Sequence, residues 1–135
     1  LDIFVKSMSN LLSKRKISIK GVNSQRLNVS AYIEEADLII NTTPIGMNSK
    51  NIKQENIPLG NKIWDCLSNK TILYDLIYTP RPTNWLKLGQ QKNCFTIDGL
   101  DMLVQQGACS IRLWSGFNDV PVEIMKSSAE KHLML

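Results

Sequence analysis

Residues 71–78, TILYDLIY, decide how this chain is read. The run is nearly continuous in apolar and aromatic residues over the length of one strand, as expected of a strand buried on both faces of a parallel sheet. Asp75, in its middle, must be paired if it is buried and charged; it reads as a structural hydrogen bonder before a catalytic base. Tyr78 closes the run ahead of Thr79-Pro80 and reads, on pattern alone, as a core aromatic with its hydroxyl at the surface.

Two further strand-length runs flank this one. Upstream, ADLIINTT (36–43) is apolar and is ended by Pro44, which fixes the chain's exit. Downstream, NCFTID (93–98) is the third. Between the second and third lies TPRPTNWLKLGQQ (79–91), a helix with Thr83 as its N-cap and Trp85, Leu86 and Leu88 as apolar contacts. The third run is followed by DGLDMLVQQGA (98–108), which opens a helix to about Gly116, and Pro121 starts a last helix carrying Val122, Ile124, Met125 and Leu133. Nearer the start, Leu1, Phe4, Val5, Met8, Leu11 and Leu12 recur at helical spacing. ISIKGV (17–22) reads as a short strand, Ser30 caps a helical turn through Glu35, and residues 46–62 read as polar loop with one helical turn.

Short strands alternating with helices predict an α/β fold, a Rossmann-like parallel sheet with flanking helices. Such sheets bind ligands beyond the carboxyl ends of their strands. Here those ends are Thr42-Thr43, Ile77-Tyr78 and Asp98-Gly99, which line one edge if the strands are parallel and adjacent. Thr42 and Thr43 serve equally as β-branched strand residues or as groups facing that edge. In the helix after Asp98 each residue advances about 100°. Leu100, Leu103, Val104, Gly107, Ala108, Ile111 and Trp114 share one broad face, and Met102, Gln106, Cys109 and Leu113 a narrower stripe. A helix apolar on two sides lies between two bodies. Gln106 is either a rim residue or a cleft residue whose amide both donates and accepts, as recognition of a polyol or carboxylate requires. Asp98 and Asp101 have capping-box spacing, and two carboxylates there weaken any phosphate site at that helix start. Gly99 permits close approach of a backbone or a flat ring.

Composition narrows the function classes. The 135 residues, 43% apolar and 21% charged, fit one soluble globular domain. No apolar run reaches the roughly 20 residues of a membrane span, and Leu1-Asp2-Ile3-Phe4 lacks the basic start of a signal peptide. The net charge of +4 is mild; its densest part, Lys14-Arg15-Lys16, has no interleaved aromatics, so nucleic acid is not the expected partner. Cys66, Cys94 and Cys109 form no CxxC pair and read as reduced thiols of a cytoplasmic protein. His132 has no partner at a telling spacing and reads as a surface residue. No GxGxxG, P-loop or metal-ligand cluster occurs, so no metal is expected.

Together, ADLIINTTPIGM, YDLIYTPRPTNWL and DGLDMLVQQGACSIRLWSG, in this order and spacing, resemble the C-terminal half of the shikimate dehydrogenase family. The resemblance covers residues 36–119, and the opening helix more loosely. It implies that residues 1–135 are the C-terminal part of a Rossmann NADP-binding domain, with an N-terminal substrate domain absent from the chain. The implied activity is NADP-dependent interconversion of 3-dehydroshikimate and shikimate in aromatic amino-acid biosynthesis. By the same resemblance Thr42 and Thr43 line the cofactor cleft, Ile77 lies near the nicotinamide, and Gly99 and Met102 lie against its ring, while Tyr78 and Gln106 bind substrate. Asp101 stands where many members have Gly.

The family's Gly-rich turn and 2′-phosphate-reading segment would precede Leu1, and its catalytic Lys–Asp pair belongs to the substrate domain. The resemblance therefore implies no catalytic residue in this chain. Because the chain starts inside a helical pattern without an N-cap, it is expected to be a fragment whose first βαβ unit is missing, inactive alone and weak or inert toward NADP. DLIINTT would then present an unpaired apolar edge, predicting a homodimer or swap across it, or ISIKGV folding in to cover it. Quinate/shikimate dehydrogenase activity and a non-catalytic Rossmann-like interaction module are the competing readings.

Overall fold

The computed structural model describes residues 2–12, 15, 17–22, 29–47, 57–60 and 63–133. Along the chain come α1 (Asp2–Leu12), α2 (Val29–Glu34), β1 (Leu38–Asn41), β2 (Ile72–Asp75), α3 (Asn84–Gln91), β3 (Phe95–Ile97), α4 (Leu100–Ser115) and α5 (Val122–Leu133). The three expected apolar runs form one parallel sheet in the order β1-β2-β3. Asn41 registers with Asp75, and Tyr74 with Ile97, so the three carboxyl ends do lie side by side. The ladder continues past the strands, since the Leu76 N–H donates to the Asn41 carbonyl and the Gly99 N–H to the Ile77 carbonyl, both at 3.1 Å. A parallel pair needs a crossover, and α3 supplies the one between β2 and β3. This is a Rossmann-like α/β architecture in the form of a partial sheet.

The core sits on one side of that sheet. Leu73 of β2 is fully buried and packs with Ile33 of α2, with Trp85 and Leu86 of α3, and with Ile57, Ile63, Leu67 and Cys94. Ile39 of β1 leans on the same cluster. The opposite face is different. Leu38 and Ile40 of β1 and Phe95 of β3 are exposed, and Ile72 and Tyr74 only half-buried. The expectation that TILYDLIY is buried on both faces therefore holds in full for one face alone, the other being half-buried along β2 and exposed along β1.

Local signals explain the helix boundaries. Thr83 caps α3 as expected, its hydroxyl oxygen accepting from the Leu86 N–H at 3.4 Å. Gly116 ends α4 in the left-handed conformation, at φ 72°, a backbone state that suits glycine. On α4, Leu100, Val104 and Ala108 are buried, but Ile111 and Trp114 of the same predicted face are exposed, as are Met102 and Leu113 of the second stripe. Gly107 of α4 faces Met125 of α5. Two expectations fail. ISIKGV is irregular rather than a strand, so it adds no strand to the β1 edge. Ser30 lies inside α2, which already includes Val29, so it is not the cap. The basic residues Lys14 and Lys16, and loop residues 48–56 and 61–62, lie outside the described residues.

Candidate functional site

The carboxyl ends of the strands are tied together by buried polar side chains. Asp75, the last residue of β2, has no solvent exposure. Its carboxylate accepts from the Asn41 side-chain amide at 3.0 Å, the Ile77 N–H at 3.1 Å and the Thr83 hydroxyl at 2.7 Å. Asn41, buried at the end of β1, passes the connection on. Its amide also donates to the Ile45 carbonyl, and its oxygen accepts from the Thr43 N–H at 3.0 Å and the Thr43 hydroxyl at 2.7 Å. The Thr43 oxygen in turn accepts from the Ile45 N–H. Thus the reading of Asp75 as a hydrogen bonder is correct, and every partner sits at the ligand edge of the sheet.

Two depressions open beyond the ends of β1 and β2. One, of about 300 Å³, is lined by Asn41, Thr42, Thr43, Ile45, Leu59 and Trp85 among others and is mostly apolar. The second, of about 190 Å³, is lined by Met47, Ile77, Tyr78 and Thr79. Ile77 is buried and Tyr78 partly exposed, so a closed apolar floor stands beside an accessible hydroxyl. Thr42 and Thr43 are therefore brought to the first depression, Ile77 and Tyr78 to the second. Met102 and Gln106 line neither; both are exposed on α4. Gly99 is buried against protein: a β-carbon there would come within 2.0 Å of the Leu76 carbonyl oxygen. Of the two approaches a glycine permits here, the structure uses the backbone one.

The start of α4 departs from the expected capping box. Asp98 does accept from the Leu100 N–H at 3.0 Å, but Gly99 holds the N-cap position and the other Asp98 oxygen takes the Arg81 guanidinium at 2.6 Å. Asp101 pairs with Lys126 of α5 at 2.6 Å rather than with its own helix start. That carboxylate holds the Lys126 ammonium above its ordinary range, by hydrogen bonding first and charge second. Burial likewise pushes the Cys94 thiol up, with Lys92 opposing. The acids still argue against phosphate at this helix, because its first free N–H already has a carboxylate. The Lys126–Asp101 pair is thus a bridge between α4 and α5.

Met47, Thr79, Arg81 and Asn41 were not singled out as site residues. Met47 and Asn41 stand within the quoted NTTPIGM and LIINTT stretches, but only the turn of the chain after Pro44 brings Met47 over Ile77 and Tyr78. The apolar shelf of Ile77 and Met47 beside a hydroxyl suits the flat, amide-bearing end of a nicotinamide, whereas groups for a pyrophosphate are not found at α4. Among the described residues no three His, Cys, Asp or Glu gather as a metal site would require, and no helix is long and apolar enough to cross a membrane.

Comparison with known proteins adds to this geometry. Residues 99–130 match the model of the shikimate 5′-dehydrogenase C-terminal domain. An NADP(+) shikimate dehydrogenase of Prochlorococcus marinus subsp. pastoris is 43% identical over 129 residues, which is 94% of this chain and 45% of that protein. The chain thus spans less than half the length of the curated relatives it matches. Among solved structures, a shikimate dehydrogenase in complex with NADP+ is 35% identical, with a TM-score of 0.63 over 72% of this chain and 32% of the other. The quinate dehydrogenase of Corynebacterium glutamicum in complex with NAD, at 23% identity, shares the fold, with a TM-score of 0.76 over 96% of this chain and 42% of the other.

Proposed function

Because the chain is a relative of the C-terminal part of shikimate dehydrogenases, we propose that it forms the nicotinamide-side wall of an NADP-dependent enzyme that interconverts 3-dehydroshikimate and shikimate. The observation that carries this is one of coincidence. The 129 residues shared at 43% identity with an NADP(+) shikimate dehydrogenase include the strand ends that build the two depressions. In this reading Thr42 and Thr43 hold the dinucleotide, while Ile77 and Met47 form an apolar floor that keeps water from the reacting face. Gly99 keeps the ends of β2 and β3 close enough for that floor to form, and Met102 flanks the ring from α4. When bound, the nicotinamide supplies the hydride chemistry.

Tyr78 and Gln106 present a hydroxyl and an amide, groups that donate to and accept from the hydroxyls and carboxylate of such a substrate. No residue of the cleft is assigned the proton transfer, which falls to groups outside this chain. A cytoplasmic setting, supported by free Cys66, Cys94 and Cys109, and a homodimer across the outer edge of β1 belong to the same proposal.

The test is an assay by the absorbance of the reduced nicotinamide. The full-length protein is expected to oxidise shikimate with NADP+, and the 135-residue chain alone to show no turnover. Turnover of quinate but not shikimate would replace the substrate assignment. Turnover by the isolated chain would overturn the division of labour.

A further inference from the structure

We infer that Asp75 is a positioning residue, whose buried carboxylate locks the two walls of the strand-end cleft to each other. One wall is the turn of residues 42–47, carrying Thr42, Thr43 and Met47; the other is the segment of residues 77–79. Asp75 is hydrogen-bonded directly to the second wall and to Asn41, the residue that leads into the first. It reaches the first wall through Asn41, whose oxygen and amide fix Thr43 and Ile45, and the second directly at the Ile77 N–H. Its remaining oxygen takes the Thr83 hydroxyl, which also caps α3, so the lock is braced against the helix that supplies Trp85 to the first depression.

Sheet packing alone does not require this arrangement. An apolar residue at position 75 would fill the same buried space, whereas a carboxylate meets three donors that converge from three segments. Hydrogen bonds to a carboxylate are worth more than those to a neutral amide, and in a site without solvent they also set direction. As a role in the reaction, positioning by Asp75 rests on the dehydrogenase reading; as a mechanical lock it does not, and the experiment separates the two.

Asp75→Asn keeps the volume of the side chain, and Thr83 can turn its hydroxyl from donor to acceptor, so this variant is expected to fold. Asn41→Ala cuts the link to the first wall alone. Amide hydrogen exchange is measured first. In Asp75→Asn, exchange at Thr43, Ile45 and Ile77 is expected to quicken together, by about fivefold to tenfold; in Asn41→Ala it quickens at Thr43 and Ile45 with Ile77 little changed. Acceleration at Ile77 alone in Asp75→Asn would refute the lock.

Steady-state kinetics of the full-length protein come second. If Asp75 positions the walls, KM for dinucleotide and substrate rises about fivefold, with a smaller fall in kcat. A residue that only held the fold would lower kcat with the active fraction and leave KM unmoved, and that result would overturn the positioning role. If the wild-type protein does not turn over shikimate with NADP+, the dehydrogenase reading fails, and exchange alone then decides whether Asp75 is the lock.

Discussion

At the scale of single residues, close approach and burial make the sharpest predictions. Gly99 sits where the backbone leaving β3 meets the backbone leaving β2, and the atom a new β-carbon would strike is a main-chain oxygen. Backbone cannot swing away as a side chain does. Gly99→Ala is therefore expected to cost about 1–3 kcal/mol, read as a lower urea midpoint at unchanged slope, and to distort the Ile77 floor. The cysteines divide by burial. Cys109 is exposed, whereas Cys94 is buried with its thiol pushed up by desolvation. With iodoacetamide at mildly alkaline pH, Cys109 is expected to be alkylated first and Cys94 last, since the thiolate is the reacting form; mass spectrometry of a time course checks the order. Residue identity was readable here wherever type and position were enough: an acid amid apolar residues announced that Asp75 needs partners. Its partners were not readable, because Asn41 lies 34 positions away and Thr83 beyond the end of the strand.

Among the elements, the α4–α5 pair shows what spacing conveys and what it omits. Gly107 interrupts α4 and faces only the terminal methyl of Met125, at 3.3 Å from a would-be β-carbon. That methyl ends a flexible chain, so Gly107→Ala is expected to stabilise the protein by a few tenths to about 1 kcal/mol through helix propensity, seen as a higher urea midpoint. The opposite outcomes expected at Gly99 and Gly107 test whether the neighbour or the glycine decides. The Asp101–Lys126 bridge has a defined pH dependence. Lys126 is raised above its ordinary 10.5 in the folded state, so folding favours its charged form. The contribution is complete below the unfolded value and is lost as pH rises through the folded one. Comparing urea midpoints of wild type and Asp101→Asn should show a small difference at neutral pH that vanishes in strong alkali. Capping-box spacing pointed Asp101 at its own helix because that pattern contains only local partners. Lys126 sits on another helix, 25 positions on (126 − 101), and no local pattern includes it. The same limit affected ISIKGV, whose alternating apolar residues looked like a strand but which pairs with none among the described residues.

For the whole molecule, the sheet order was legible because consecutive strands joined by a helix have few parallel solutions; its coverage was not, since that depends on what packs against each face. The result is a sheet whose Leu73 side is a dense core and whose β1 outer edge has no strand partner among the described residues. The carbonyls of Asp37, just before β1, and of Asn41, its last residue, accept from the N–H groups of Ile72 and Leu76. By strand alternation, the backbone groups of Leu38 and Ile40 point to the outer edge, where an unpaired strand can add another. Ile40 also exposes its side chain. These features favour association of two copies edge to edge, and sedimentation of the isolated chain is expected to show concentration-dependent dimers. Ile40→Lys leaves every bond to β2 in place while setting a charge on the edge, so it should shift the chain to monomer with little change in urea midpoint. A wild-type chain that sediments as a monomer at all concentrations would rule out the dimer. If Ile40→Lys instead lowers the midpoint without altering association, the side chain serves the monomer's own packing and the two copies meet elsewhere.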